Sequence, residues 1–162
     1  MRIVYIDAQN VHKSIQELGW IISRELFYEY LQHKFATERV IIFIGYIQKY
    51  TRFYEKLSSL WYEIIFKQVL VRNDGTIKWD VDIDIAIHAM KHMYDGIVSE
   101  AYLVSWDADY NSLIDEWVHN RVFGKLLVPN LNKTLYILRK SAWWKLQPLT
   151  DIKHLIEKKQ KD

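Results

Sequence analysis

The stretch LVSWDADY, residues 103–110, joins an apolar run directly to two aspartates. Two other stretches also place carboxylates directly after or beside apolar residues, YIDAQN at residues 5–10 with one aspartate and VDIDIA at residues 81–86 with two. In an open parallel sheet, apolar runs are buried strands, and the residues after their carboxyl ends converge on one crevice. The carboxylates expected to meet there are those of Asp7, Asp82, Asp84, Asp107 and Asp109.

A crevice with several carboxylates is expected to bind a cation. Two like charges about 4 Å apart repel by roughly 4 kcal/mol at an effective dielectric near 20, so clustered carboxylates need a positive partner. The chain contains no cysteine, which excludes thiolate metal sites. Carboxylates without a Cys or His cluster favour hard, oxygen-seeking ions, and the expected cofactor is therefore Mg²⁺ or Mn²⁺.

Length and composition indicate one ordinary globular domain. No linker or low-complexity segment interrupts the 162 residues, so a single domain over residues 1–162 is predicted. Lys and Arg number 22 against 20 Asp and Glu, and the net charge of +2 does not by itself indicate a nucleic-acid binder. No apolar run approaches ~20 residues and cysteine is absent, which predicts a cytoplasmic protein with no membrane partner.

The spacing of apolar residues alternates between strand and helix patterns. It predicts strands at 2–6, 39–47, 63–71, 101–105 and 124–128, and a short extended piece near Leu146. It predicts helices at 23–35, 50–61, 80–94, 109–120 and 131–141, a peripheral helix at about 151–160, and Asn10 as the N-cap of a helix after the first strand. This alternation predicts the α/β class, a three-layer α/β/α Rossmann-like domain with a mainly parallel central sheet of about five strands. Neither GxGxxG nor GxxxxGK[ST] occurs, so nothing indicates a nucleotide-binding Rossmann protein.

The three acidic stretches resemble the sequence blocks of the NYN domain, a branch of the PIN-like nuclease superfamily. The family's first block, an apolar strand running into Asp-Gly-x-Asn, matches residues 6–10. Its second, Lys-Gly-Val-Asp-Val-Asp-Leu-Ala, matches residues 81–86, with Lys78 displaced by one residue. Its third, Val-Ser-Gly-Asp-x-Asp-Phe, matches residues 104–110. The match covers the chain from the first strand to the helix after Asp109.

The resemblance implies a PIN-like fold and metal-dependent endoribonuclease activity, the hydrolysis of RNA phosphodiester bonds. By the family's pattern, Asp7, Asp82 and Asp107 hold the metal, Asp109 is a further ligand, and Asn10 orients a carboxylate or a bound water. The metal would lower the pKa of water to generate the nucleophile and neutralise charge on the phosphate. The implied partner is RNA, single-stranded or structured, and a homodimer is left open.

Substrate binding around the crevice is assigned to Ser105, Trp106, Lys78 and Arg52. Trp106 stands where the family has Gly, and it either crowds the strand end or offers a ring on which a base stacks. Two further departures from the family pattern are Ala8, in place of Gly, and His88, where the family often has Asp.

Two other functions stay open at this point. One is a catalytically degenerate PIN-like module that binds RNA or a protein partner without cleavage, with helix 50–61 and the pair Trp143 and Trp144 as contact surface. The other is a phosphate-transferring enzyme of another Rossmann-like family with Asp7 as nucleophile. Against the latter, Gln9 stands where a second acid is expected, and no obvious Ser/Thr and Lys pair follows.

Overall fold

The computed structural model describes residues 1–75 and 77–159, apart from the side chain of Lys78. The strands are β1 (Arg2–Asp7), β2 (Arg39–Gly45), β3 (Glu63–Lys67), β4 (Leu70–Val71), β5 (Ile77–Lys78), β6 (Glu100–Val104), β7 (Phe123–Val128) and β8 (Leu146–Pro148). The α-helices are α1 (Ala8–Glu17), α2 (Arg24–Phe35), α3 (Thr51–Ser59), α4 (Asp82–Tyr94), α5 (Asn111–His119), α6 (Tyr136–Ala142) and α7 (Lys153–Ile156). Short 3₁₀ turns join several of these elements.

Six strands form one parallel sheet in the order β3-β2-β1-β6-β7-β8. The chain winds outward from β1 to β3, returns to the centre at β6, and winds outward again to β8. This confirms the predicted α/β class with a parallel central sheet. The sheet has one strand more than expected, because the short piece near Leu146 pairs with β7, where Leu126 lies opposite Leu146 and Val128 opposite Pro148.

The sheet is buried on both faces, which explains why its strands are nearly continuous apolar runs. Successive side chains of a strand point to opposite faces. In β1, Val4 and Ile6 pack with α1 and α2, while Ile3 and Tyr5 pack with α4 and α5. The alternation splits the interior into two apolar layers, one on each side of the sheet. The domain is therefore the three-layer arrangement that the sequence predicts.

The third strand is shorter than predicted. Residues 63–71 are predicted as one strand, but β3 ends at Lys67, which lies opposite Gly45, the last residue of β2. Beyond that point the strand has no parallel neighbour. The chain continues instead into the small antiparallel hairpin of β4 and β5, closed at Gly75, whose φ of +79° is readily adopted only by glycine.

The carboxy-terminal segment packs on the face formed by α1 and α2. Ile152 and Ile156 are buried in that layer. The backbone N–H of Ser23 donates to the carbonyl of Ile156 (2.8 Å), which ties the segment to the start of α2. The helix ends at Ile156, earlier than predicted, because Glu157 is extended and bridges to Ile22. In the described part of the chain, no helix combines the length and apolarity needed to cross a membrane.

The strand order places a switch point at the centre of the sheet. β1 and β6 are neighbours, with Ile6 opposite Val104, yet the chain leaves them towards opposite edges of the sheet. In open α/β sheets, a crevice forms outside the carboxyl ends of two such strands, and ligands bind there. Asp7 ends β1, and the segment 105–110 follows β6, so two of the three acidic stretches reach this crevice.

Candidate active site

Asp7 connects the end of β1 to the beginning of α1. Its carboxylate Oδ1 accepts a hydrogen bond from the backbone N–H of Asn10 (3.0 Å), so Asp7 is the N-cap of the helix. The prediction of Asn10 as N-cap is wrong, because the helix already begins at Ala8 and Asn10 lies in its first turn. Asn10 Oδ1 instead accepts a hydrogen bond from the backbone N–H of Trp106 (2.9 Å), which fixes α1 to the loop after β6.

The loop after β6 is held by hydrogen bonds from its own backbone. The hydroxyl of Ser105, which is fully buried, accepts a bond from the backbone N–H of Asp107 (3.2 Å). Asp107 Oδ1 accepts one from the backbone N–H of Asp109 (3.0 Å) and caps the 3₁₀ turn at 108–110. Both contacts are local, so the order of residues in this stretch suffices to bring Asp107 and Asp109 together.

The third acidic stretch enters at the start of α4. Gly45 allows the ring of Trp79 to lie against the end of β2, since a Cβ there would be 2.5 Å from Trp79 Cγ. The carboxylate Oδ1 of Asp80 accepts a hydrogen bond from the backbone N–H of Asp82 (3.1 Å). This segment therefore reaches the crevice along the carboxyl edge of β2, and Asp82 is the first residue of the helix.

Three carboxylates form a group with metal-ligand spacing. One oxygen each of Asp82, Asp107 and Asp109 lies within 4.8 Å of the others. Asp82 and Asp107 are half-buried and Asp109 is exposed, so the group is open to solvent on one side. Asp7 lies behind this group rather than within it. Asp84 is also outside, because its Oδ2 pairs with Lys67 Nζ at 2.5 Å.

A tyrosine hydroxyl links Asp7 to this group. Tyr110 is buried, and its hydroxyl lies 2.7 Å from Asp82 Oδ1 and 3.3 Å from Asp7 Oδ2. A hydroxyl has one proton to donate, and the shorter distance favours donation to Asp82. Sequence reasoning missed Tyr110. The available signal was its position at the end of the third stretch, where the family has Phe, which lacks a hydroxyl.

Burial and mutual repulsion raise the pKa values of two carboxyls. Burial raises the pKa of Asp7 to about 6, and the charges of Asp107 and Asp80 add to this, while hydrogen bonds from Asn10 and Tyr110 oppose it. Burial, followed by the charges of Asp7 and Asp80, raises the pKa of Asp82 above its ordinary range. Without a bound cation, the ionised carboxylates of this site therefore lower the stability of the folded protein.

The side chain of Trp106 points towards α1. Its Nε1 donates to the hydroxyl of Ser14 (2.5 Å), and Lys133 Nζ lies 5.6 Å from its ring centroid. Lys133 also forms an ion pair with Glu17 of the same helix. The ring is therefore held between α1 and the loop after β7, and it is half-buried.

The other residues that were predicted to bind the substrate do not lie together. Ser105 is engaged inside the loop after β6 and has no exposed surface. Arg52 is exposed in the first turn of α3, which follows the carboxyl end of β2. Lys78 belongs to β5, and its side chain lies outside the described part of the structure. His88 packs edge-on against Phe43, with ring centroids 5.4 Å apart.

Comparison with known proteins identifies the family. The family model of the NYN domain matches residues 2–142, which include all three acidic stretches. The chain belongs to the NYN domain family. This family is generally nuclease-like, and its nucleases usually use divalent metals. The resemblance seen in the sequence is therefore confirmed.

A solved structure supports the same fold. A protein of unknown function from Vibrio parahaemolyticus is 20% identical to this NYN domain and superposes with a TM-score of 0.73. The alignment covers 96% of this chain and 94% of the Vibrio protein. At this identity the similarity shows the fold alone. No curated protein is significantly similar in sequence to this chain.

The three carboxylates of this NYN domain suit a small divalent cation. Magnesium binds oxygen ligands at about 2.1 Å, so two ligands on opposite sides of the ion lie about 4.2 Å apart. The oxygens of Asp82, Asp107 and Asp109 lie within 4.8 Å of one another, so these side chains can close on an ion placed between them. All three are hard carboxylate donors, which suits Mg²⁺ or Mn²⁺.

Metal binding is expected to stabilise the native state. At a Mn²⁺ concentration of 100 times Kd, a single site adds about 2.7 kcal/mol to the free energy of unfolding. For a chain of this size, that corresponds to a rise in Tm of about 5 to 10 °C. Differential scanning fluorimetry with Mn²⁺ and with EDTA measures the shift.

The variant Asp107→Asn tests whether the ion binds at this group. Asparagine is as good an N-cap as aspartate, so the 108–110 turn is retained while the charged ligand is lost. The Mn²⁺-dependent shift should disappear in this variant. It should persist in Asp115→Asn, which removes an exposed carboxylate of α5 that lies outside the group. Equal shifts in both variants would locate the ion elsewhere.

Proposed function

We propose that this NYN domain is a cytoplasmic, metal-dependent endoribonuclease that hydrolyses RNA phosphodiester bonds with Mg²⁺ or Mn²⁺. The observation that carries the proposal is the group formed by Asp82, Asp107 and Asp109, which is open to solvent at the switch point of the sheet. Membership in a generally nuclease-like family supports the same reaction class. RNA is the proposed partner because the family resemblance implies it.

Each residue of the site would have a separate role in binding the metal ion. Asp82, Asp107 and Asp109 would hold the ion, and Asp7 behind them would add negative charge that attracts it. The hydrogen bond from Tyr110 keeps one oxygen of Asp82 oriented inward, which directs its other oxygen towards the crevice. When bound, the ion would activate a water molecule and neutralise charge that develops on the phosphate.

The positions of two histidines of α4 favour carboxylate chemistry over a histidine mechanism. Metal-free ribonuclease chemistry needs a general acid and a general base close to the 2′-hydroxyl of the substrate. His92 Nδ1 lies 2.9 Å from the hydroxyl of Tyr5, which is buried inside the sheet. His88 packs on Phe43 and on His92. Both imidazoles are thus engaged with core residues.

The products of cleavage test the proposed reaction. If an activated water attacks phosphorus, the 2′-hydroxyl takes no part, and the products carry a 5′-phosphate and a 3′-hydroxyl. We expect such ends when the purified protein is incubated with end-labelled single-stranded RNA and Mn²⁺, and no cleavage when EDTA replaces Mn²⁺. Product ends can be identified by mobility and by phosphatase sensitivity.

Two other outcomes would count against this proposal. Products with 2′,3′-cyclic phosphates that persist in EDTA would indicate the histidine mechanism. RNA binding without cleavage in Mn²⁺ would favour the degenerate module that binds RNA but does not cut it.

A further inference from the structure

Three large aromatic side chains are exposed on and directly after α6. The exposed fractions are 77% for Tyr136, 71% for Trp143 and 50% for Trp144. Lys140, also exposed, lies between them in the sequence. Tyr136 and Lys140 are four residues apart and lie on one face of α6, and the two tryptophans follow in the 3₁₀ turn directly after the helix. We call this surface the α6 stripe.

The α6 stripe is physically connected to the candidate active site. Helix α6 packs against α5 and against the 108–110 turn, which carries Asp109. The hydroxyl of Ser141 donates to Asn111 Oδ1 (2.7 Å), and Asn111 directly follows Tyr110. β8 begins just after the stripe and pairs with the carboxyl half of β7. The stripe therefore lies on and beside a helix that contacts the 108–110 turn at the border of the acidic crevice.

The chain segment that carries the α6 stripe is positively charged. Between Glu116 and Asp151 the sequence contains no acidic residue and six Lys or Arg residues. Arg139 and Lys145 donate to the carbonyl oxygens of Leu131 and Phe123, which are uncharged acceptors. Among the described residues, no ion pair involves Arg139, Lys140 or Lys145. No carboxylate in the described part of the chain therefore neutralises them, and Lys140 is the exposed one of the three.

We propose that the α6 stripe is a binding site for unpaired nucleotides of RNA next to the cleaved bond. The bases would stack on Tyr136, Trp143 and Trp144, and Lys140 would contact the phosphates. Exposed aromatic rings next to uncompensated cations are the combination that binds single strands without sequence preference. The inference rests on the proposed function for its substrate class. It adds a preference for single-stranded over duplex RNA, because the bases of a duplex are already stacked and are not available to these rings.

The double variant Tyr136→Ala with Trp143→Ala tests the stripe. Removal of one stacking ring weakens single-strand binding by about tenfold, so the double variant should raise Kd by about a hundredfold. The assay is fluorescence anisotropy of a labelled single-stranded RNA in EDTA, so that no cleavage occurs. Binding of a blunt duplex of the same length should change little. Trp143→Phe keeps a ring and should retain most of the affinity that Trp143→Ala loses.

Trp61 provides the matched control. It is 78% exposed and follows the end of α3, at the opposite edge of the sheet from the crevice. Trp61→Ala should leave the Kd for RNA unchanged. Equal affinities of the double variant and Trp61→Ala, or no binding of RNA by the unmodified protein, would overturn the proposal.

The same variants separate this inference from the proposed function and from self-association. RNA binding in EDTA without cleavage in Mn²⁺ would reject the nuclease but keep the stripe. Cleavage in Mn²⁺ with unchanged RNA affinity in the double variant would keep the nuclease but reject the stripe. Size-exclusion chromatography with light scattering reports whether the unmodified protein is a dimer. If the double variant turns a dimer into a monomer without a change in RNA affinity, the stripe is a contact between two copies, and the proposal is wrong.

Discussion

Asp82→Asn is expected to lower the rate of Mn²⁺-dependent RNA cleavage by about a thousandfold, since a bound metal supplies several kcal/mol of transition-state stabilisation. Asparagine keeps an Oδ1 that can accept the hydrogen bond from Tyr110, but it lacks the charge needed to hold the ion. The variant should therefore fold normally. Initial rates with labelled single-stranded RNA at saturating Mn²⁺ measure the loss.

Asp95→Asn is the control for this experiment. Asp95 is the exposed C-cap at the other end of the same helix, so the substitution changes the net charge equally and leaves the site intact. Its cleavage rate should match that of the unmodified protein. If Asp82→Asn retains activity while its melting temperature is unchanged, Asp82 does not hold a catalytic metal.

Asp7→Asn is expected to raise the stability of the metal-free protein at pH 8 by about 2 kcal/mol. The pKa of Asp7 is raised from 3.8 to about 6 in the folded state. The folded protein therefore binds this proton more tightly than the unfolded chain. The resulting stabilisation is fully present below about pH 4 and is lost as the pH rises through about 6. At pH 8 the native state carries a buried charge on Asp7, which asparagine removes.

The geometry around Asp7 allows this replacement. The Oδ1 of an asparagine can still accept the hydrogen bond from Asn10, and its amide can donate to the hydroxyl of Tyr110, which remains free to donate to Asp82. Thermal unfolding in EDTA from pH 4 to pH 8 measures the effect. We expect Tm to rise by about 4 to 8 °C at pH 8. The difference should vanish at pH 4.

The comparison between the two proteins separates Asp7, and the neighbouring Asp82 whose pKa it raises, from distant titrating groups. His12 and His92 have pKa values lowered mainly by burial, and they contribute a loss of stability as the pH falls, which is the opposite direction. These contributions cancel when Asp7→Asn is compared with the unmodified protein at each pH. A variant that is less stable than the unmodified protein at pH 8 would mean that the charged carboxylate stabilises the fold.

The parallel sheet and the family could be predicted from the sequence because their signals are local. Runs such as residues 3–6 and 101–104 are apolar throughout, as strands buried on both faces must be. The acidic stretches follow or precede such elements at fixed spacing, and parallel topology sends them to one edge. Within each stretch, contacts such as that from Asp109 N to Asp107 Oδ1 span two residues and follow from the order of the chain.

Other features depended on contacts between distant parts of the chain. β3 stops at Lys67, opposite the last residue of β2, Gly45, so its end coincides with that of a strand distant in the sequence. The direction of the Trp106 side chain depends on Ser14, which is 92 residues away in the sequence. Helix α1 is capped by Asp7 because the strand passes directly into the helix, which removes the loop in which Asn10 was expected to act.

The sequence by itself thus determined the α/β class, the parallel sheet and the three acidic stretches, because apolar periodicity and residue order act over a few neighbouring residues. Only the tertiary structure decided which carboxylates share a ligand spacing. It places Asp82, Asp107 and Asp109 together, puts Asp7 behind them across the hydroxyl of Tyr110, and pairs Asp84 with Lys67. Such positions depend on strand order and on burial, and burial is a property of the packed chain as a whole.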